Sequence, residues 1–308
     1  MPRGASRIAV ALPSPDLGAA GTAGVDLAEV RLDLFEWPVD VARMLAGQRP
    51  RVIATNRPPR EGGQSPLGEA DRIEALREAA AAGAEFIDLE WDVADFAVVA
   101  RDLRASGARV IVSRHDFGGM PDLAAWARAI DAAEPDIVKV VGTAIDSVDG
   151  ATPLRVLAEA KRPTIAIAMG PLGLATRVMA LAYERCFLTF AALPGGGTAP
   201  GQIDLTAMRE MYRADTIDET TRFILVDPAV VAEDAIGIAN RRFAATGISR
   251  RMVPWSIEAA SAIVVARALD NLPVDAVLAR VGDGAIRRSG GWRAAGDPTI
   301  EGVINSLH

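Results

Sequence analysis

Eight short runs rich in β-branched residues recur along the chain, each followed by a stretch whose apolar residues return at helical spacing. They occupy residues 7–12 (RIAVAL), 25–33 (VDLAEVRLD), 51–56 (RVIATN) and 86–91 (FIDLEW). They continue at 109–116 (RVIVSRHD), 136–141 (DIVKVV), 164–169 (TIAIAM) and 187–193 (FLTFAAL). Near-continuous apolar strands alternating with helices imply parallel strands covered by helices. Eight such units fit an α/β fold of the (β/α)8 TIM-barrel type, for which roughly 250 residues is typical. An open, doubly wound sheet is the rival architecture. The barrel is favoured because polar residues cluster at the ends of nearly every strand, where a barrel's one-sided site lies. Alanine-rich helices are expected at 69–82 and 123–133, and Gly83 and Gly107 follow helices at points that want a left-handed cap. The eighth unit closes with a helix-like segment, 203–213. The polar stretch 214–221 (ADTIDETT) then breaks the period. The expected division is therefore a barrel over residues 1–215 and a small appended α/β module over 220–308. That module opens with a strand (RFILV, 222–226) and has helix-like stretches at 235–246 and 258–269.

Composition narrows the function. A chain of 308 residues with 50% apolar and 24% charged residues is globular rather than disordered. Its net charge of -7 makes nucleic acid and anionic membranes poor partners. No apolar run approaches the roughly 20 residues of a membrane helix, and the opening MPRGASRIAV turns polar too soon for a signal peptide, so a cytoplasmic protein is expected. The single cysteine, Cys186, and scarce histidine leave neither a disulfide framework nor a metal site. No Walker or dinucleotide-binding glycine pattern lies between a strand and a helix, and no cofactor is expected. Lysine occurs only at Lys139 and Lys161 and histidine only at His115 and His308, against 33 basic residues in all. A lysine kept inside an apolar run of so arginine-rich a chain needs a reason that arginine cannot satisfy.

Residues two apart on a strand share a face. Glu29, Arg31 and Asp33 therefore point together, as do Ser113 and His115, while Lys139 joins Ile137 and Val141. An ammonium in such a setting is costly to desolvate, which favours the neutral amine that attacks a ketone to form a Schiff base. The alternative is a lysine that snorkels or pairs with an inward carboxylate such as Glu29. His115, at a strand end, reads as a general acid/base oriented by Glu61, or as a hydrogen-bonded structural residue. The loop 56–63 (NRPPREGG) is either part of a site or a solvated turn. Arg177, shortly after the MGPLG segment at 169–173, reads as a carboxylate clamp or an ordinary exposed arginine. The Gly/Pro-rich loop 194–202 (PGGGTAPGQ) reads as a lid or a plain connector.

Taken in order, EVRLDLF (29–35), TNRPPREGG (55–63), FIDLEWD (86–92), SRHDF (113–117), DIVKVV (136–141), MGPLGLATR (169–177) and TAPGQI (198–203) resemble type I 3-dehydroquinate dehydratase over residues 5–213. The resemblance implies a cofactor-free hydro-lyase of the shikimate pathway, acting as a homodimer on the small molecule 3-dehydroquinate. Lys139 would form an imine with the C3 ketone. His115, supported by Glu61, would remove the C2 proton and protonate the departing C1 hydroxyl, a syn loss of water giving 3-dehydroshikimate. Glu29, Arg31 and Arg57 would hold the ring hydroxyls; Arg177, Thr198 and Gln202 would form the carboxylate end and its closing loop; Met169 would pack beside the ring. Thr198 stands where the family usually has Ser, and the first strand offers no hydroxyl residue. The alternatives are a class I aldolase-type Schiff-base barrel and a non-catalytic ligand-binding or regulatory protein of the same pathway.

The tail is similar to the substrate-binding half of shikimate dehydrogenase, through residues 223–243, 252–258 (MVPWSIE) and 296–307 (GDPTIEGVINSL). The Ser-x-Ser clamp of that enzyme is replaced by alanine and acidic residues near 232–235. Its catalytic lysine has no counterpart, since no lysine follows Lys161, and a nucleotide-binding domain is not expected. A degenerate module without oxidoreductase activity is expected, kept for packing, dimerisation or weak ligand sensing.

Overall fold

A computed structural model describes residues 7–194, 196–199, 201–257, 262–280, 283–289, 291–296 and 299–307. The eight expected runs form eight strands, most of them trimmed at their ends, while the seventh keeps its bounds and the sixth runs on to Thr143. They are β1 (Ile8–Leu12), β2 (Leu27–Arg31), β3 (Arg51–Thr55), β4 (Phe86–Glu90), β5 (Arg109–His115), β6 (Ile137–Thr143), β7 (Thr164–Met169) and β8 (Thr189–Ala192). All neighbours are parallel and follow chain order from β1 to β7, with β8 on the free edge of β1. The circle closes where Thr164 of β7 bridges to Cys186, its N–H donating to Arg185 O and its O accepting from Phe187 N, each at 2.8 Å. A doubly wound sheet has no such closure, so the fold is the barrel.

Helices cover the outside: α1 (Leu17–Thr22), α2 (Val41–Met44), α3 (Glu69–Ala81), α4 (Phe96–Ala105), α5 (Leu123–Asp131), α6 (Ala151–Glu159) and α7 (Thr176–Met179). Gly83 and Gly107 both adopt φ of 93° just past α3 and α4, the left-handed caps that the sequence asked for. Strand alternation sorts the side chains. Val52, Ala54, Val110, Val112, Val138 and Val140 belong to the outer core under the helices. Leu27, Ile53, Phe86, Ile111, Ile137 and Ile165 belong to a separate inner core. Two residues further along most of these strands the inward position turns polar: Glu29, Thr55, Asp88, Ser113 and Lys139. The apolar plug fills one end of the barrel, and charge is confined to the end where the βα loops begin.

The eighth unit departs from expectation. In place of a helix over 203–213, a two-residue strand β9 (Ile203–Asp204) pairs with β8, and a π-helical turn spans Ala207–Met211. After it comes a second sheet of β10 (Arg222–Val226), β11 (Arg250–Pro254), β12 (Val274–Arg280), β13 (Asp283–Arg288) and β14 (Gly291–Ala294), ordered β11-β10-β12-β13-β14. The first three strands are parallel and the last two form an antiparallel meander. Its helices are α8 (Glu233–Ala245), α9 (Ala262–Ala268) and α10 (Ile300–Ser306). The start expected for the second of these helices, residues 258–261, lies outside the described residues, as do Asp297 and Pro298 of the GDPTIEG string.

The two sheets are stitched together by buried polar groups. Asn240 donates to Met211 O at 3.0 Å and to Met252 O at 2.9 Å, while Arg251 donates to Tyr212 O at 3.1 Å. Trp255, at the end of β11, donates to Ser147 O at 2.7 Å in the loop between β6 and α6.

Candidate active site

Ten residues singled out in the sequence line one cavity at the loop end of the barrel: Glu29, Arg31, Arg57, Glu61, His115, Lys139, Met169, Arg177, Thr198 and Gln202. None of the described residues of β1 does, in keeping with the absence there of a hydroxyl side chain.

Lys139 is buried with its Nζ 2.7 Å from Asp88 Oδ2 and 3.4 Å from Glu29 Oε1, and 5.0 Å from the centre of the Phe190 ring. The inward carboxylate that the sequence offered as its partner, Glu29, stands beside the amine, and Asp88 stands nearer still. Val138 and Val140 face the helices, and the amine meets carboxylates inside the barrel. Glu29 Oε1 is itself fixed by the Thr55 hydroxyl at 2.9 Å.

His115 Nδ1 lies 2.9 Å from Glu61 Oε2, the pairing expected for an acid/base histidine and its orienting carboxyl. Burial, followed by the positive charges of Arg57 and Lys139, depresses the imidazole well below its ordinary 6.5. Burial pushes the Glu61 carboxyl up to about 8, with Arg57 opposing and Glu90 and Asp88 adding to the rise. At neutral pH one proton is therefore held between Glu61 and Nδ1, and the two groups titrate as a unit. The placement depends on a tight turn. Gly62 adopts φ of 74° after the 3-10 turn Pro59–Glu61, and a Cβ on Gly63 would meet Arg57 O at 1.9 Å.

Arg57 lines the cavity and also gathers carboxylates behind it. It is buried, and its guanidinium reaches Glu90 at 2.6 Å, Asp88 and Ser113 Oγ at 2.8 Å and Glu61 at 3.6 Å. Burial disfavours its charge, but Asp88, Glu90, Glu61 and Glu29 outweigh that and raise its pKa. Arg57 is a hub that aligns carboxylates, with one edge left on the cavity. Arg31 pairs bidentately with Asp33 at 2.8 and 2.7 Å. Burial works against the ionised Asp33, yet Arg31 holds it below the usual carboxylate range.

Arg177 is buried rather than exposed, and its Nε donates to Gly201 O at 2.9 Å. Burial lowers it to about 10, which favours the arrival of an anion. Thr198 N donates to Gln202 Oε1 at 2.8 Å, and Gln202 Nε2 donates back to Thr198 Oγ1 at 3.2 Å, tying the loop to itself. Gly195 and Pro200 of that loop lie outside the described residues.

The principal omissions from the sequence reading are Asp88 and Glu90. Asp88 accepts from Ser113 Oγ at 2.5 Å, and Glu90 is held between Arg57 and Arg72, each 2.6 Å away. Their signal was present: carboxylates at i and i+2 on a strand that is otherwise apolar point inward beside Phe86.

A (β/α)8 barrel with a buried lysine, a histidine–carboxyl pair and an arginine-lined end defines a Schiff-base barrel suited to a small anionic carbonyl compound. The sequence pattern of the type I 3-dehydroquinase family matches residues 13–219, so the chain belongs to that family. A 3-dehydroquinate dehydratase of Methanothermobacter thermautotrophicus is 38% identical over 198 residues, covering 63% of this chain and 87% of that protein. The crystal structure of 3-dehydroquinate dehydratase from Geobacillus kaustophilus superposes with a TM-score of 0.60 at 29% identity, covering 66% of this chain and 88% of that one. The dehydroquinate dehydratase and shikimate dehydrogenase structure from S. pombe shares the fold over 96% of this chain and 65% of its own, with a TM-score of 0.57 and 17% identity.

Proposed function

We propose that the protein is a 3-dehydroquinate dehydratase of the shikimate pathway, and that Lys139, His115 and Glu61 carry the reaction. The observation that carries this reading is the convergence on one cavity of an amine, an imidazole–carboxyl pair and a buried arginine. The Nζ lone pair of Lys139 attacks the C3 carbonyl carbon. The carbonyl oxygen takes the two protons that Nζ gives up and leaves as water, and an imine that keeps one N–H and the positive charge remains. His115 accepts the C2 proton through Nε2, the nitrogen not engaged by Glu61, and the C2–H electrons move into an enamine. That proton passes to the C1 hydroxyl, which departs as water while the imine re-forms, and addition of a second water frees Lys139 and 3-dehydroshikimate. Glu29 and Arg31 are placed to hold ring hydroxyls, and Arg177, Thr198 and Gln202 to hold the carboxylate, with Met169 against the ring.

Borohydride added during turnover of 3-dehydroquinate should fix the ligand on Lys139, detected as a mass increase on its peptide. The Lys139→Ala variant should show neither adduct nor turnover. Lys161 is the one other lysine in the chain, so the site assignment is unambiguous. Absence of any adduct on the native protein, with no product formed, overturns the reading.

The proposal extends to the whole chain. A barrel over 1–215 is followed over 220–308 by a degenerate module like the substrate-binding half of shikimate dehydrogenase. Its fold-level likeness to the S. pombe structure supports this. At the end of its first strand, Asp227 accepts from Ala229 N at 2.9 Å and Ile257 N at 3.0 Å, so that carboxylate holds its own loop rather than a ligand. A cytoplasmic homodimer follows from the same family likeness. Among the described residues no helix is long and apolar enough to cross a membrane.

A further inference from the structure

Two carboxylates stand against the Lys139 amine, Glu29 on the cavity and Asp88 behind it, and they are not equivalent. Glu29 Oε1 stands 3.4 Å from Lys139 Nζ and already accepts from Thr55. Asp88 Oδ2 stands 2.7 Å away on a residue with no exposed surface. The other oxygen of Asp88 is clamped by the Ser113 hydroxyl at 2.5 Å and the Arg57 guanidinium at 2.8 Å, so the carboxylate cannot swing away. An ammonium has three N–H groups to share, whereas a protonated imine has one.

We propose that Asp88 is a catalytic residue, the counter-ion that takes the single N–H of the protonated imine on Lys139 and keeps that nitrogen charged through turnover. This rests on the Schiff-base reading above. The reaction needs such a partner because an imine nitrogen is less basic than the amine from which it forms. An imine that loses its proton is no sink for the C2–H electrons. A fixed carboxylate at hydrogen-bond distance in a low-dielectric pocket favours the charged form. It stabilises the iminium more than the neutral enamine that follows, and the Arg57 contact on its far oxygen tempers that bias. Asp88 is suited to this role. Burial opposes its charge, but Arg57, Lys139 and His115 together hold it far below the usual carboxylate range, so it is an anion and not a proton donor.

The test uses protein labelled with 15N at the lysine side chains, where only Lys139 and Lys161 report. With an equilibrium mixture of 3-dehydroquinate and 3-dehydroshikimate, the wild-type imine nitrogen should show the shift of the protonated form from pH 6 to pH 9. In Asp88→Asn the same signal should convert to the neutral imine within that range. The alkaline limb of the kcat–pH profile should move to lower pH, with on the order of a tenfold loss at pH 7 for each unit by which the imine pKa falls below 7. A variant that forms imine but titrates and turns over like the wild type overturns the role of Asp88. So does a wild-type imine that loses its proton below pH 8, and this measurement decides if Asp88→Asn fails to fold. Absence of any imine signal and of any borohydride adduct in the wild type overturns the underlying reading instead.

Discussion

The site at residue scale is a set of charges whose values are set by one another. The Glu61–His115 pair shows what this does to chemistry. While Glu61 is protonated it donates to Nδ1 and the ring hydrogen sits on Nε2; only when the carboxyl ionises does that hydrogen take Nδ1 and leave Nε2 free to accept. Burial has raised the Glu61 carboxyl to about 8, so the base-competent form grows as pH rises through that value and is lost below it. The expected kcat/KM profile therefore climbs to a plateau above pH 8. In Glu61→Gln that proton is no longer there to lose, and competence rests on His115 alone, held well below 6.5. The rising limb should shift to lower pH, while the plateau falls by about 10²–10⁴-fold as the imidazole loses its orientation. An unmoved limb in the variant would show that the carboxyl does not gate the base. The same mutual dependence explains why sequence placed Arg57 in the site without its carboxylate partners. Alternation along β3 says that residue 57 points inward past Thr55; only the neighbouring strand says that Asp88 and Glu90 wait there.

Elements deliver these groups through turns that tolerate little change. Gly62 combines φ of 74° with a missing Cβ that would lie 2.3 Å from the Phe117 ring. Gly62→Ala therefore faces a left-handed backbone penalty of about 1–2 kcal/mol as well as a displaced ring. The turn should open and carry Glu61 away from His115, and kcat should fall toward that of Glu61→Gln with the circular dichroism spectrum unchanged. Adding Phe117→Ala should restore only the part due to the ring; full wild-type turnover in Gly62→Ala would detach the turn from catalysis. At this scale the sequence was most readable where physics is local. Strands β1–β8 appear as apolar runs, and the caps at Gly83 and Gly107 appear as glycines after alanine-rich helices. It was least readable where a segment's partner is remote. Residues 203–213 carry a helix-like pattern yet divide into β9 and a π-helical turn, because Ile203–Asp204 pairs with β8 and Met211 O is captured by Asn240.

At the scale of the whole molecule, the second sheet behaves as part of the barrel's outer core. The stretch 175–182, where the helix that follows β7 would normally show a wet face, is buried at every position. Buried residues of the barrel's outer layer and of the second sheet and its helices, from Val178 and Met179 to Phe223, Met252 and Val265, form one contiguous cluster. Trp255 is the keystone of that junction. It is 1% exposed, a Cβ on Gly150 would come within 2.5 Å of its ring, and its indole N–H satisfies Ser147 O just after the strand that carries Lys139. Trp255→Ala removes the largest fully buried side chain and strands a carbonyl, at a cost of about 3–5 kcal/mol. If the core is shared, that cost falls on the entire chain. Thermal unfolding, followed by circular dichroism and by loss of turnover, should remain a single transition displaced to lower temperature. If instead the module melted early while turnover survived to the wild-type midpoint, the two sheets would be independent, and the wholly buried 175–182 segment would have to keep its packing without the module.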